Sequence, residues 1–103
     1  MKVITLGHKY ELKSFENPKL NQTLQFIEKS PNVNDPTQLD TLNDGTTNEE
    51  VIEMLIDRMN YLQNKFPCIE NELVINNLTS ALDTLNSRTK DRKSRGVEGK
   101  HIK

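Results

Sequence analysis

One stripe of side chains changes its chemistry part-way along the chain, and it limits what the C-terminal half can fold into. Leu78, Ala81 and Leu85 follow the three-and-four spacing of a helix face, with Leu82 beside them. At the same step the stripe continues as Arg88, Arg92 and Arg95. A face that packs against a neighbour therefore runs on into a row of guanidinium groups. The row ends in Gly96-Val97-Glu98-Gly99-Lys100, a loop with two glycines. Such a row suits an anion. It equally suits a helix leaving its core for water, and the residues alone leave both readings open.

The preceding segment supplies the neighbour. Thr46-Thr47-Asn48-Glu49-Glu50 offers a capping box in either register, because each Thr has a Glu three positions later. Ile52, Leu55, Met59, Leu62 and Phe66 then form a heptad-like seam, which Pro67 ends. The connection Pro67-Cys68-Ile69-Glu70 is short, so the next helix is an antiparallel neighbour. It is expected to start near Asn71 or Glu72 and to reach about Ser94, with Gly96 as its left-handed terminator. Ahead of the hairpin, residues 2–15 read as strand with a turn at Gly7-His8, Gln22–Lys29 as a second strand, and Gln38–Leu42 as a third. Short linkers favour antiparallel pairing. The expected fold is α+β in a single domain: a small N-terminal antiparallel β-meander over 1–45, an antiparallel helical hairpin over 46–95 and a ligand-covering tail over 96–103.

Composition adds two constraints. With 33% hydrophobic residues and no Trp, and a mean hydropathy of −0.74, the core is lean, which points to burial against a partner chain. The net charge of −1 argues against a protein that coats nucleic acid. That charge is uneven. Residues 86–103 carry seven Lys or Arg against Asp91 and Glu98, a net of +5, which leaves −6 for the rest. Cys68 is the only cysteine and has no metal-ligand spacing around it, as suits a cytoplasmic setting. The apolar runs are too short for a signal peptide or a membrane span. No Walker loop, nucleophile elbow or zinc motif is present, and His8 and His101 have no triad or metal context. An enzyme is not expected, and neither a cofactor nor a metal is implied.

Among the candidates, Arg88 and Arg92 lie four apart on one helix side, with Thr89 between them, and guanidinium suits bidentate phosphate contacts. The loop after Arg95 can bring backbone N–H groups to a phosphate. The plainer reading is a solvated helix end whose basic residues complement the macrodipole. Tyr61, beside Leu62, either stacks on a base or is half-buried core. Asn71 either bonds a ligand or caps the second helix.

The segments TLNDGTTNEEVIEMLIDRMNYLQNKFPCIENE and ALDTLNSRTKDRKSRGVEGKH resemble the phage Thoeris anti-defence and anti-CBASS sponge proteins. The likeness is greatest to the first-described Thoeris anti-defence family, which places a small sheet before the hairpin. It covers roughly Gly7 to His101. The resemblance implies a cyclic-nucleotide-binding protein without turnover. Such proteins sequester cyclic ADP-ribose isomers in the host cytoplasm during infection, and some bind cyclic di- or trinucleotides at a second site. It implies a homodimer or hexamer, with no membrane and no nucleic acid as partner. Carried onto this chain, the family's aromatic falls on Tyr61, its asparagine on Asn71, and its Arg-Thr and following Arg on Arg88, Thr89 and Arg92. The loops that close over ligand match Tyr61–Ile69 and Arg92–His101, the second holding Arg95, Gly96, Val97, Glu98, Gly99 and His101. The alternative class is a nucleic-acid or protein-interaction module that uses the basic C-terminal tail as a flexible clamp.

Overall fold

Between Thr47 and Asn48, and again between Glu98 and Gly99, the chain passes from one unit to another in the computed structural model, which describes residues 1–103. The first unit is Met1–Thr47 with Gly99–Ile102. The second is Asn48–Glu98, with the terminal Lys103.

The first unit holds five short strands, all paired antiparallel. Strands β1 (Lys2–Thr5), β2 (Lys9–Leu12) and β3 (Gln22–Gln25) form one sheet in that order, while β4 (Glu28–Pro31) and β5 (Leu39–Asn43) form a second. The turn between β1 and β2 uses Gly7 at φ +78°, and the His8 N–H donates to Thr5 O at 2.9 Å. The expected single meander is thus two sheets, because Gln22–Lys29 does not run as one strand. Its peptide groups are diverted at Phe26-Ile27. Phe26 N–H donates to His8 O at 2.7 Å, Ile27 N–H to Thr46 O at 2.9 Å, and Thr46 N–H to Gln25 O at 2.9 Å. The segment after β5 therefore pairs with the backbone of Gln25 and Ile27, on the edge opposite the one where Phe26 bonds to His8. Gly45 makes that approach possible. A Cβ there would lie 2.7 Å from the carbonyl carbon of Phe26 and closer still to the carbonyl oxygen of Gln25. The Phe26 ring meets Tyr10 edge-on, with centroids 5.9 Å apart.

In the second unit, α1 (Asn48–Lys65) and α2 (Ile69–Ser94) form the expected hairpin. The start of α1 at Asn48 puts Thr47 at the N-cap position with Glu50 three residues on, which selects one of the two registers. Pro67 follows the end of α1 as anticipated. The second helix begins at Ile69, earlier than Asn71 or Glu72, and its N-cap is Cys68, whose thiol accepts from Asn71 N–H at 3.4 Å.

Along α1 the less exposed apolar positions are Val51, Ile52, Ile56, Met59 and Leu62, whereas Leu55 and Phe66 are exposed. Along α2 they are Ile75, Leu78, Leu82 and Leu85, with Ala81 exposed. The α2 face thus steps 75, 78, 82, 85, then to Thr89 and Arg92. Arg92 lies on this inward row and Arg88 on its flank, so the stripe does not turn uniformly into ligand-facing arginines. No apolar side chain in the chain is buried, and Arg92, 6% exposed, is the only residue that is. No helix is long and apolar enough to cross a membrane.

Candidate functional site

The sequence candidates within the second unit fall into two clusters at opposite ends of α2. Asn71 and Arg88 are seventeen residues apart on one continuous helix, which at 1.5 Å per residue is about 25 Å along its axis. Tyr61 sits near the end of α1 and belongs with Asn71 at the turn. Arg88, Thr89, Arg92 and Arg95 belong to the other end. One copy of the chain does not bring Tyr61 and Arg88 to a single small ligand.

At the turn end, Tyr61 is 55% exposed, and Lys65, one helical turn later, holds its ammonium 5.1 Å from the ring centroid. Asn71 does not cap α2. Its Nδ2 donates to Phe66 O at 3.4 Å, across the connection between the helices. Gln63 Oε1 accepts from Cys68 N–H at 3.0 Å and closes the same connection from the α1 side. Both candidates thus stand on a braced turn. Lys65 and Gln63 were not singled out in the sequence, although the four-residue spacing of Tyr61 and Lys65 is a legible signal.

At the basic end the three arginines have different surroundings. Arg88 is exposed and has no hydrogen bond or ion pair within the chain. Thr89, beside it, is half-buried. Arg95 Nε lies 3.1 Å from Asp91 Oδ2, an i, i+4 ion pair at the surface. Arg92 folds back on the residues that follow the helix: its Nη2 donates to Val97 O at 2.8 Å, and its Nε lies 3.4 Å from Glu98 Oε2.

The backbone around Arg92 is a Schellman motif. Gly96 takes φ +69°, its N–H donates to Lys93 O at 3.1 Å, and Val97 N–H donates to Arg92 O at 3.0 Å. Arg92 therefore holds both main-chain groups of Val97, one through its carbonyl and one through its guanidinium. Chemically, this end offers an unengaged guanidinium, a neighbouring hydroxyl and a turn held in a fixed shape. From Arg88 to Glu98 five basic side chains stand against two acidic ones, so the local potential favours an anion.

Gly99 and His101 fall in the first unit. His101 N–H donates to Thr37 O at 2.8 Å, and Lys100 pairs with Gln38 in an antiparallel bridge. The tail thus joins the loop between β4 and β5. In that loop the Thr37 hydroxyl donates to Asp35 Oδ1 at 2.6 Å and Thr37 N–H to the same oxygen at 3.1 Å. These bonds, with the Lys100 charge adding to them, hold the exposed Asp35 carboxyl below the usual carboxylate range. Neither residue of this loop carried a functional signal in the sequence. His, Cys, Asp and Glu side chains do not gather in threes anywhere in the chain as a metal would require.

No family model matches the chain. Over 60 residues it is 50% identical to Thoeris anti-defense 1 of Bacillus phage SBSphiJ7, a stretch that covers 57% of this chain and 42% of that protein. The match thus spans less than half of the relative's length.

Proposed function

We propose that this chain is a phage immune-evasion protein that opposes Thoeris defence by binding and sequestering cyclic ADP-ribose isomers without degrading them. The observation that carries the reading is the basic end of α2. There Arg88 presents a guanidinium with no partner in the chain beside the half-buried Thr89. Phosphate is the ligand group that a planar, permanently charged fork next to a hydroxyl fits well. The name of the phage relative, Thoeris anti-defense 1, supports the biological setting.

The two clusters on α2 give the reading a structural consequence. A cyclised dinucleotide is much shorter than about 25 Å, the axial distance from Asn71 to Arg88. The aromatic and asparagine of one copy therefore meet the arginine of another, and the pocket is completed by self-assembly. Exposed apolar side chains at the turn end, Phe66 at 77%, Ile69 at 71% and Leu73 at 55%, supply surface for that contact. A flexible basic clamp accords less well with a tail whose His101 N–H is bonded to Thr37 O at 2.8 Å.

Equilibrium dialysis against a panel of cyclic ADP-ribose isomers tests the function. The protein is expected to deplete at least one isomer and to release it chemically unchanged after heat denaturation. Release of a linear or hydrolysed product would make the protein an enzyme. Binding of polyanions with a steep salt slope, without uptake of any isomer, would make it a clamp.

A further inference from the structure

Residues Gly99–Ile102 rejoin the first unit on a loop that is bonded into shape without them. We infer that Gly99–Ile102 is a releasable strap, docked on a receptor formed by the loop between β4 and β5, and that Asp35 is the residue which sets that receptor for it. The inference goes beyond the proposed binding function and does not depend on it.

The receptor is built by side chains that bond to nearby backbone, as Asn and Asp do in turns. Asn32 Oδ1 accepts from Asn34 N–H at 2.8 Å and from Asp35 N–H at 3.0 Å. Its Nδ2 donates to the two carboxylate oxygens of Asp40 at 3.2 and 3.0 Å. Asn32 N–H donates to Gln38 O at 2.9 Å and Gln38 N–H to Asp35 O at 3.0 Å, which closes the loop. Asp35 Oδ1 then takes both donors of Thr37, the hydroxyl at 2.6 Å and the N–H at 3.1 Å. With its N–H turned to Asp35, Thr37 leaves its carbonyl for the strap, and His101 N–H donates to it at 2.8 Å. None of these bonds within the loop involves the strap, so the receptor persists when the strap leaves.

Two features make the strap separable. It pairs with the loop at one isolated bridge, Gln38 with Lys100, whereas β4 and β5 pair at four positions. Of its residues only Lys100 is half-buried, and the others are exposed. A segment with few backbone bonds and little covered surface opens at a lower free energy than the sheet beside it. Asp35 adds an attraction of its own, since the charge of Lys100 on the strap favours the ionised carboxyl. Asp35 is exposed, so salt weakens that attraction and leaves the backbone bond.

Amide hydrogen exchange on the full chain tests the device, with Asp35→Ala, Asp35→Asn and His101→Pro beside the parent. In the parent, the His101 amide should be protected, yet exchange faster than the Asn32 amide. Asp35→Ala should speed exchange at His101 by about tenfold. Asp35→Asn should speed it less, because an amide oxygen still accepts from Thr37. Added salt should speed His101 exchange in the parent and not in Asp35→Asn. His101→Pro removes the donor of the strap and none of the bonds of the loop, so the Gln38 amide should keep the protection of the parent. The Phe26 amide, bonded to His8 O, should not change in any variant.

His101 exchange unaffected by Asp35→Ala would overturn the role of Asp35. If that variant does not fold, Thr37→Val gives the same reading, since it removes only the hydroxyl bond. His101 and Asn32 amides that open together in the parent would mean that the strap is not separable. Loss of Gln38 protection in His101→Pro would mean that the receptor needs the strap to form. Protection at His101 that falls on dilution would place the receptor on another copy, and that too overturns the inference.

Discussion

Arg88 and Arg92 are four residues apart on one helix, yet one is exposed without a partner and the other is buried and bonded to the turn beyond it. The sequence gives them equal standing, because spacing and charge say nothing of which side of the packing row a residue takes. The inward row runs through Leu78, Leu82, Leu85 and Thr89 to Arg92, so at its last turn it takes Thr89 in place of Arg88 and leaves Arg88 on the flank. Asn71 shows the same blindness at the other end. It was legible as a polar residue at a helix start, but the cap belongs to Cys68, a residue outside the usual Ser, Thr, Asp and Asn set. If Arg88 holds phosphate, Arg88→Ala should cost about 1.5–3 kcal/mol of binding, the range for charge-assisted hydrogen bonds. Arg88→Lys should recover only part of it, since a point charge replaces a fork. The melting temperature should barely move, because an exposed charge near a helix C-terminus contributes only about 0.3–1 kcal/mol. Calorimetric titration alongside melts would show this, and an Arg88→Ala variant that binds like the parent would refute it.

At the scale of elements, the hairpin was legible and the sheet less so. The seam of α1, the Pro67 stop and the Gly96 terminator all act within a few residues of chain, and the boundaries they gave stand, except for the earlier start of α2. The break between β3 and β4 is not local. It depends on Thr46 reaching the backbone of Gln25 and Ile27, some twenty residues away, and alternation across Phe26 carries no trace of that approach. The role of Gly45 is to let two backbones come together. Gly45→Ala should therefore destabilise the first unit by about 1–3 kcal/mol, the usual cost of forcing atoms into filled space. Faster exchange of the Thr46 and Ile27 amide protons is the expected sign. Protection equal to the parent's would mean that the corner tolerates a side chain and that the strand break has another cause.

For the molecule as a whole, the decisive fact is that no apolar side chain is buried in the single chain. Small domains are marginal even with a full core. Covering a large apolar side chain is worth about 1.5–3 kcal/mol, so Phe66, Ile69 and Leu73, all exposed, are a substantial reserve of stability available only to an assembly. The lean composition raised a partner chain as an expectation from the sequence, and the proposed assembly keeps it. That the candidate residues divide between the two ends of α2 was not legible, because it follows from one unbroken helix running from Ile69 to Ser94. Under the proposed function, binding and assembly become one claim: the pocket would be completed only between copies. Native mass spectrometry after incubation with the panel of cyclic ADP-ribose isomers tests that claim most directly, since it weighs the assembly and its ligand together. The account predicts an even-numbered assembly of the 11.9 kDa chain that retains intact isomer. Isomer retained by a single chain, or an assembly that takes up none of the panel, would contradict it.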